Sequence, residues 1–165
     1  MTLLAVLPRA TGAQGAAVGQ PAPDFRLTLL QGGDATLSQL RGRPVVINFW
    51  ASWCEPCRTE IPDILAAYAT HRQRGLEVLA VNLTDQEVRR DILPFVTEMQ
   101  MTFPVLLDER GRTRRRYRLR GVPTTVFVDS AGIVRLINPG PITSEELARG
   151  LGLILSGTLN DQGRH

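Results

Sequence analysis

Two cysteines, Cys54 and Cys57, are the only thiols in the chain, and two residues separate them. A disulfide across so short a loop stabilises a fold little through chain entropy. A structural zinc site ordinarily takes four ligands, and only His71 and His165 could add to the thiols. His71 falls near the expected end of a helix, and His165 is the last residue. The spacing therefore favours a redox pair over a metal-holding or structural one. Thiolate is the nucleophile of disulfide exchange, and a helix N-terminus favours it through unpaired N–H groups and the positive dipole end.

The flanking sequence supplies such a setting. The apolar, β-favouring run Val45-Val46-Ile47-Asn48-Phe49-Trp50 leads in, and Ile61, Ile64, Leu65 and Tyr68 lead out at helical spacing. This predicts a buried strand turning into a helix at the cysteines. The helix is expected to reach about Arg74 and stop at Gly75, with a kink at Pro62.

Before this unit, Val18 to Phe25 reads as an extended lead-in, because Pro21 and Pro23 exclude helix. Phe25, Leu27 and Leu29 alternate as a strand, Gln31 to Asp34 turns, and Ala35 to Leu37 pairs back as a hairpin. After it, Leu76 to Leu83 is a second apolar strand. Thr84 and Glu87 have the spacing of a capping box for another helix, with Val88, Ile92, Phe95, Val96 and Met99 inward and a break at Pro94. Phe103 to Leu107 makes a third strand. Thr124 to Val128 and Ile133 to Ile137 form an antiparallel hairpin across Asp129 to Gly132. Thr143 and Glu146 form a second capping box, heading a helix that buries Leu147, Leu151 and Ile154. The order implies an α/β fold with a mixed central sheet flanked by helices on both faces.

The 165 residues suit one domain, expected over 18–157, and 43% hydrophobic with 21% charged is an ordinary globular balance. No apolar run approaches the roughly 18 residues of a membrane helix. Residues 1–17 read as a leader, or as the remnant of a signal peptide or anchor: a short apolar run, Pro8-Arg9, then small residues. Residues 158–165 read as a tail. The formal charge is +3 and the chain has no lysine, so no amine can tune the thiols.

Phe49 to Cys57, followed by Gly121-Val122-Pro123-Thr124-Thr125, resembles the thioredoxin superfamily. Within it the chain is similar to the TlpA/ResA-like branch of extracytoplasmic thiol–disulfide oxidoreductases, which includes cytochrome c maturation proteins. Val18 to Phe25 resembles that branch's opening, and 84–107 falls where the branch carries a central helix–strand insertion. The resemblance implies a thioredoxin fold with an N-terminal β-hairpin. It makes Cys54 the exposed attacking thiol, Cys57 the resolving one, and Pro123 a cis-proline presenting a backbone edge to substrate. Trp53 is expected to pack over the motif. Glu55 is expected exposed, setting partner preference with Pro56, Val122 and Thr124. Asn48 stands where thioredoxin itself has a buried aspartate, and it cannot take a proton. Glu60 matches a cavity glutamate of ResA-like proteins, on nearly the same helix face as Cys57, and there could exchange a proton with it.

No cofactor or metal is implied. The implied partners are disulfide-containing proteins, such as apocytochrome c or a copper protein, and a membrane electron donor that restores the dithiol. The implied location is the periplasm or the outer face of the cytoplasmic membrane, with a membrane anchor on the full-length form. Two rivals use the same thiols. One is a Cu(I)-holding module, since thiolates suit that ion. The other is a thiol peroxidase, whose Pro-X-X-X-Thr-X-X-Cys pattern would need Pro and Thr at Ile47 and Ala51. Seven of the eleven residues from Arg110 to Arg120 are arginine. Without interleaved aromatics apart from Tyr117, this reads as a solvated face rather than a nucleic-acid site, or as attraction for an acidic partner or membrane surface.

Overall fold

A computed structural model describes residues 15–156. The expected tail and most of the expected leader lie outside these residues. Eleven elements follow in order: β1 (Arg26–Leu29), β2 (Asp34–Thr36), β3 (Val45–Trp50), α1 (Glu55–His71), β4 (Glu77–Asn82), α2 (Ile92–Glu98), β5 (Val105–Leu107), α3 (Arg112–Arg116), β6 (Thr124–Val128), β7 (Val134–Pro139) and α4 (Ser144–Leu155). One sheet takes the order β2-β1-β5-β4-β3-β6-β7. The pairs β3–β4 and β4–β5 are parallel and the rest antiparallel, so the sheet is mixed as its connection lengths require. The insertion's strand, β5, joins the N-terminal hairpin to the sheet.

Strand β3 is buried along its whole length, as a central strand covered on both faces must be. One face carries α1, α2 and α4, packed on Val46, Val78, Ala80, Val105 and Phe127. The other face, around Ile47, Phe49, Val81, Leu106 and Val126, is covered by the lead-in residues Ala22 and Phe25, by Leu37, and by Tyr117 after the five-residue α3. The helices expected on both faces are thus unequally shared. Helix α4 comes so close to β6 at Gly150 that a Cβ there would lie 2.4 Å from the Phe127 ring.

Local chemistry sets the helix ends. Helix α1 runs through Pro62 to His71, and after one 3-10 turn Gly75 stops it in the left-handed conformation, φ 88°. Thr143 and Glu146 form the capping box of α4. Thr84 and Glu87 do not form one. Residues 84–86 make a 3-10 turn, Glu87 is extended, and α2 starts only at Ile92. Val88 is accordingly 53% exposed rather than inward. Pro94 sits in the first turn of α2 instead of breaking it, because the N–H it lacks has no helical partner there.

The two margins of the sheet are short or occupied. Strand β2 has three residues. At the start of β7, the lead-in bonds to Val134 on both its N–H and its carbonyl, and Pro21 bridges Ile133. Strand β7 ends on Pro139.

Candidate active site

Cys54 is the N-cap of α1 and Cys57 lies in its first turn, with Pro56 at a position where a missing N–H costs no helical bond. The two thiols form a disulfide, and Cys54 Sγ accepts the Cys57 backbone N–H at 3.2 Å. The sulfur thus sits on the first-turn donors of the helix, where negative charge is favoured. The expected exposure of Cys54 is corrected. It is 4% accessible against 0% for Cys57, because the helix start folds it into the core cluster on that face. Glu55 between them is exposed.

The second wall is the loop before β6. The Val122–Pro123 bond is cis, Pro123 is buried, and Val122 is half-buried. Thr124 is buried, and its hydroxyl donates to the Gly121 carbonyl at 2.9 Å, tying the loop back on itself.

Below the cysteines lies a buried polar group. Glu60 follows Cys57 by three residues on α1 and is 3% exposed. One carboxylate oxygen accepts from the Asn48 amide at 2.8 Å, the other from the Ile142 backbone N–H at 3.0 Å. Asn48, fully buried on β3, also donates to the Thr125 hydroxyl at 3.2 Å. Burial holds the Glu60 pKa above the ordinary carboxylate range, against the lowering effect of its two hydrogen bonds. An acid so placed keeps its proton to higher pH than an exposed carboxyl and can exchange it, which Asn48 cannot do.

Trp53 stands at the surface beside the motif. It is 59% exposed, and its indole N–H donates to the Gln86 carbonyl at 3.1 Å. The residue before it is held from the same side. Ser52 donates its backbone N–H to both Glu87 oxygens, at 3.1 and 3.3 Å, and its hydroxyl to one of them. Glu87 was legible only as a capping residue; its bond to Ser52 spans 35 positions and carries no local signal. Farther out, Arg58 is paired with Glu98 at 2.6 Å and lies 4.8 Å from the Phe95 ring centroid, while Trp50 stacks on Phe95 at 4.9 Å. These contacts dock α2 beside the motif.

The arginine run is mostly exposed, but members of it are engaged within the fold. Arg114 pairs with Asp85 at 3.0 Å, Arg115 donates to the Arg110 carbonyl, and Arg116 donates to the Asp24 carbonyl. Among the described residues no group of three or more His, Cys, Asp or Glu side chains is placed to hold a metal ion.

Residues 18–137 match the AhpC/TSA family. The thiol-disulfide oxidoreductase ResA of Geobacillus kaustophilus is 37% identical over 135 residues, which cover 82% of this chain and 76% of that protein. Among solved structures, a thiol:disulfide interchange protein of the DsbE type from Chlorobium tepidum superposes with TM-score 0.79 at 33% identity. That match covers 86% of this chain and all of the other. A secreted Mycobacterium tuberculosis disulfide oxidoreductase, described as homologous to the Escherichia coli DsbE, superposes with TM-score 0.69 at 25% identity, covering 78% and 94%.

Proposed function

The chain belongs to the AhpC/TSA family of thioredoxin-like proteins and is a protein thiol–disulfide oxidoreductase, and from that premise we propose that it reduces disulfides in partner proteins. The observation that carries the direction is the charge around the pair. Glu55 lies between the cysteines and the Glu87 carboxylate sits on Ser52, while Arg58, next to Cys57 in the chain, is engaged by Glu98. Negative surroundings disfavour thiolate, and a dithiol less stabilised in its reduced form is the better reductant.

In this mechanism the Cys54 thiolate attacks one sulfur of a partner disulfide. A Cys54–partner bond forms, and the partner's other sulfur leaves as thiolate and takes up a proton. Cys57 gives its proton to the Glu60 carboxylate and attacks Cys54, forming the intramolecular disulfide and releasing the second partner thiol. Two electrons pass to the partner, and an external dithiol donor must return them. Pro123 and Val122 offer a backbone edge for the partner chain. Thr124 steadies that loop, Trp53 and Glu55 contact the incoming segment, and Pro56 stiffens the turn between the thiols.

Ile47 and Ala51, both buried and apolar, stand where a peroxidase pattern needs proline and threonine, which supports disulfide exchange over peroxide chemistry. The secreted mycobacterial relative supports work outside the cytoplasmic membrane. The partners in this reading are apocytochrome c or a copper protein, with a membrane dithiol carrier as donor. No helix among the described residues is long and apolar enough to cross a membrane. The domain itself is taken as 18–157.

The test is the reduction potential of the Cys54–Cys57 pair, equilibrated against a defined thiol couple. A value near thioredoxin's, about −270 mV, is expected; one near about −120 mV would make the protein a disulfide donor and overturn the proposed direction.

A further inference from the structure

The turn that delivers Cys54 is held from outside its own strand and helix. Residues 51–53 connect β3 to α1, and two of them are bonded to the segment after β4. Ser52 gives both its N–H and its hydroxyl to Glu87, and Trp53 gives its indole N–H to the Gln86 carbonyl. The carboxylate has a third donor, the side-chain amide of Asn82. Asn82 is fully buried and aligned with Trp50 in the parallel ladder, so it is fixed to the strand that enters the motif. The amide is oriented in turn by the Thr84 hydroxyl, which donates to Asn82 Oδ1 at 2.8 Å. Leu83 continues the ladder by donating to the Trp50 carbonyl at 3.0 Å.

Every donor around the Glu87 carboxylate is therefore a group of β3's exit turn or of β4's last residue. A helix cap would have needed that carboxylate at 84–87 itself. The segment instead leaves Glu87 extended, φ −144° and ψ 171°, and sends its side chain to the turn.

We propose that Glu87 is a positioning residue for disulfide exchange: its carboxylate clamps Ser52, fixing the turn that presents Cys54, and its charge biases the Cys54–Cys57 pair toward the disulfide. The proposal rests on the oxidoreductase reading but concerns a residue that touches neither sulfur. Two effects follow with different signatures. The clamp acts on rate, because a misaimed Cys54 meets a partner disulfide less often in line. The charge acts on equilibrium, because a fixed anion bonded to Ser52, two residues before Cys54, disfavours the thiolate of the reduced state. The other charges on this side, Glu55 and Arg58 on α1 and Glu98 on α2, are the same in every variant compared.

The experiment uses the full chain with Glu87→Gln, Glu87→Ala and Ser52→Ala. Three quantities are read: the equilibrium with a glutathione couple, the pH profile of Cys54 alkylation by iodoacetamide in the reduced protein, and the rate at which the reduced protein reacts with oxidised glutathione. Glu87→Gln keeps an oxygen for the Ser52 N–H and removes the charge. It is expected to shift the equilibrium toward the dithiol by about fivefold, ~20 mV for a two-electron couple, and to move the alkylation midpoint to lower pH. Glu87→Ala is expected to show the same shift and in addition slower exchange. Ser52→Ala keeps the charge and is expected to slow exchange without moving the equilibrium.

A purely structural glutamate predicts otherwise. If Glu87→Gln leaves the equilibrium and the alkylation profile at wild-type values, the charge role is overturned. If Ser52→Ala and a folded Glu87→Ala exchange at the wild-type rate, the clamp is overturned. Should Glu87→Ala fail to fold, Glu87→Gln and Ser52→Ala still decide both points. A wild-type protein that exchanges no disulfide would instead sink the oxidoreductase reading, so the two failures are told apart.

Discussion

Thr84-Asp85-Gln86-Glu87 and Thr143-Ser144-Glu145-Glu146 share the same spacing of threonine and glutamate and end in opposite structures. At 143–146 the Thr143 hydroxyl accepts the Glu146 N–H at 3.2 Å, and the Glu146 carboxylate accepts the Thr143 N–H at 2.8 Å. A twelve-residue helix follows and buries Leu147, Leu151, Ile154 and Leu155. At 84–87 the hydroxyl turns to Asn82 and the carboxylate to Ser52. The difference lies in what comes next and what stands nearby. Leu147 follows the first pattern on a stripe that meets the sheet. Val88 follows the second with Arg89-Arg90-Asp91 behind it, a run with no apolar face to bury. The Glu146 carboxylate is met by the N–H and hydroxyl of Thr143 itself, whereas Ser52 and Asn82 offer three donors beside the second. A capping pattern specifies a carboxylate seeking N–H groups, and the packing decides whose.

Changing the two glutamates should separate them most sharply. Glu87→Ala is expected to slow exchange with a disulfide substrate by about tenfold through lost alignment, while Glu146→Ala leaves the rate at wild type; stopped-flow oxidation of the reduced proteins measures both. A slow Glu146→Ala would break the contrast. Thr143→Ala should lower stability by about 1 kcal/mol as a lost N-cap, seen as a melting point a few degrees lower in calorimetry, with exchange unaffected.

Titration gives a finer distinction, this time against Glu60. Hydrogen bonds from the Thr143 N–H and hydroxyl hold the Glu146 carboxyl below its ordinary value. Its contribution is present above the unfolded-state pKa and lost as pH falls through the folded one. The stability gap between wild type and Thr143→Ala should therefore narrow in acid. Burial raises Glu60, so stability is lost as pH rises from the unfolded-state value through the folded one. Glu60→Gln should gain on wild type as pH rises from the unfolded-state carboxylate value through the raised folded one, and denaturant midpoints followed against pH would show it. Equal slopes for the two residues would contradict their environments. The smallest effect belongs to Thr84→Ala, about 0.5 kcal/mol in urea unfolding, because only its bonds to Asn82 go.

What could be read from the sequence was what neighbours in sequence determine. The strand-to-helix passage at Cys54, the stop at Gly75, both hairpins and the box of α4 each follow from periodicity or turn chemistry over a few residues. The thioredoxin resemblance added the cis bond at Pro123 and the burial of Glu60. What escaped was set by docking. The indole N–H of Trp53 finds the Gln86 carbonyl, 33 positions along the chain. Cys54 is covered because α1 begins inside the core. Arg114, Arg115 and Arg116 looked like free surface charge, yet each has a partner in the fold.

The margins of the sheet bear on the company such a protein keeps. A catalyst that receives extended, incompletely folded chains risks pairing with them wherever a strand lies open. Here one margin is a three-residue strand, and the other is bridged at its start by the lead-in and closed at its end by Pro139, which has no N–H to give. Neither offers a long ladder on which a client, or a second copy of the chain, could grow into an aggregate.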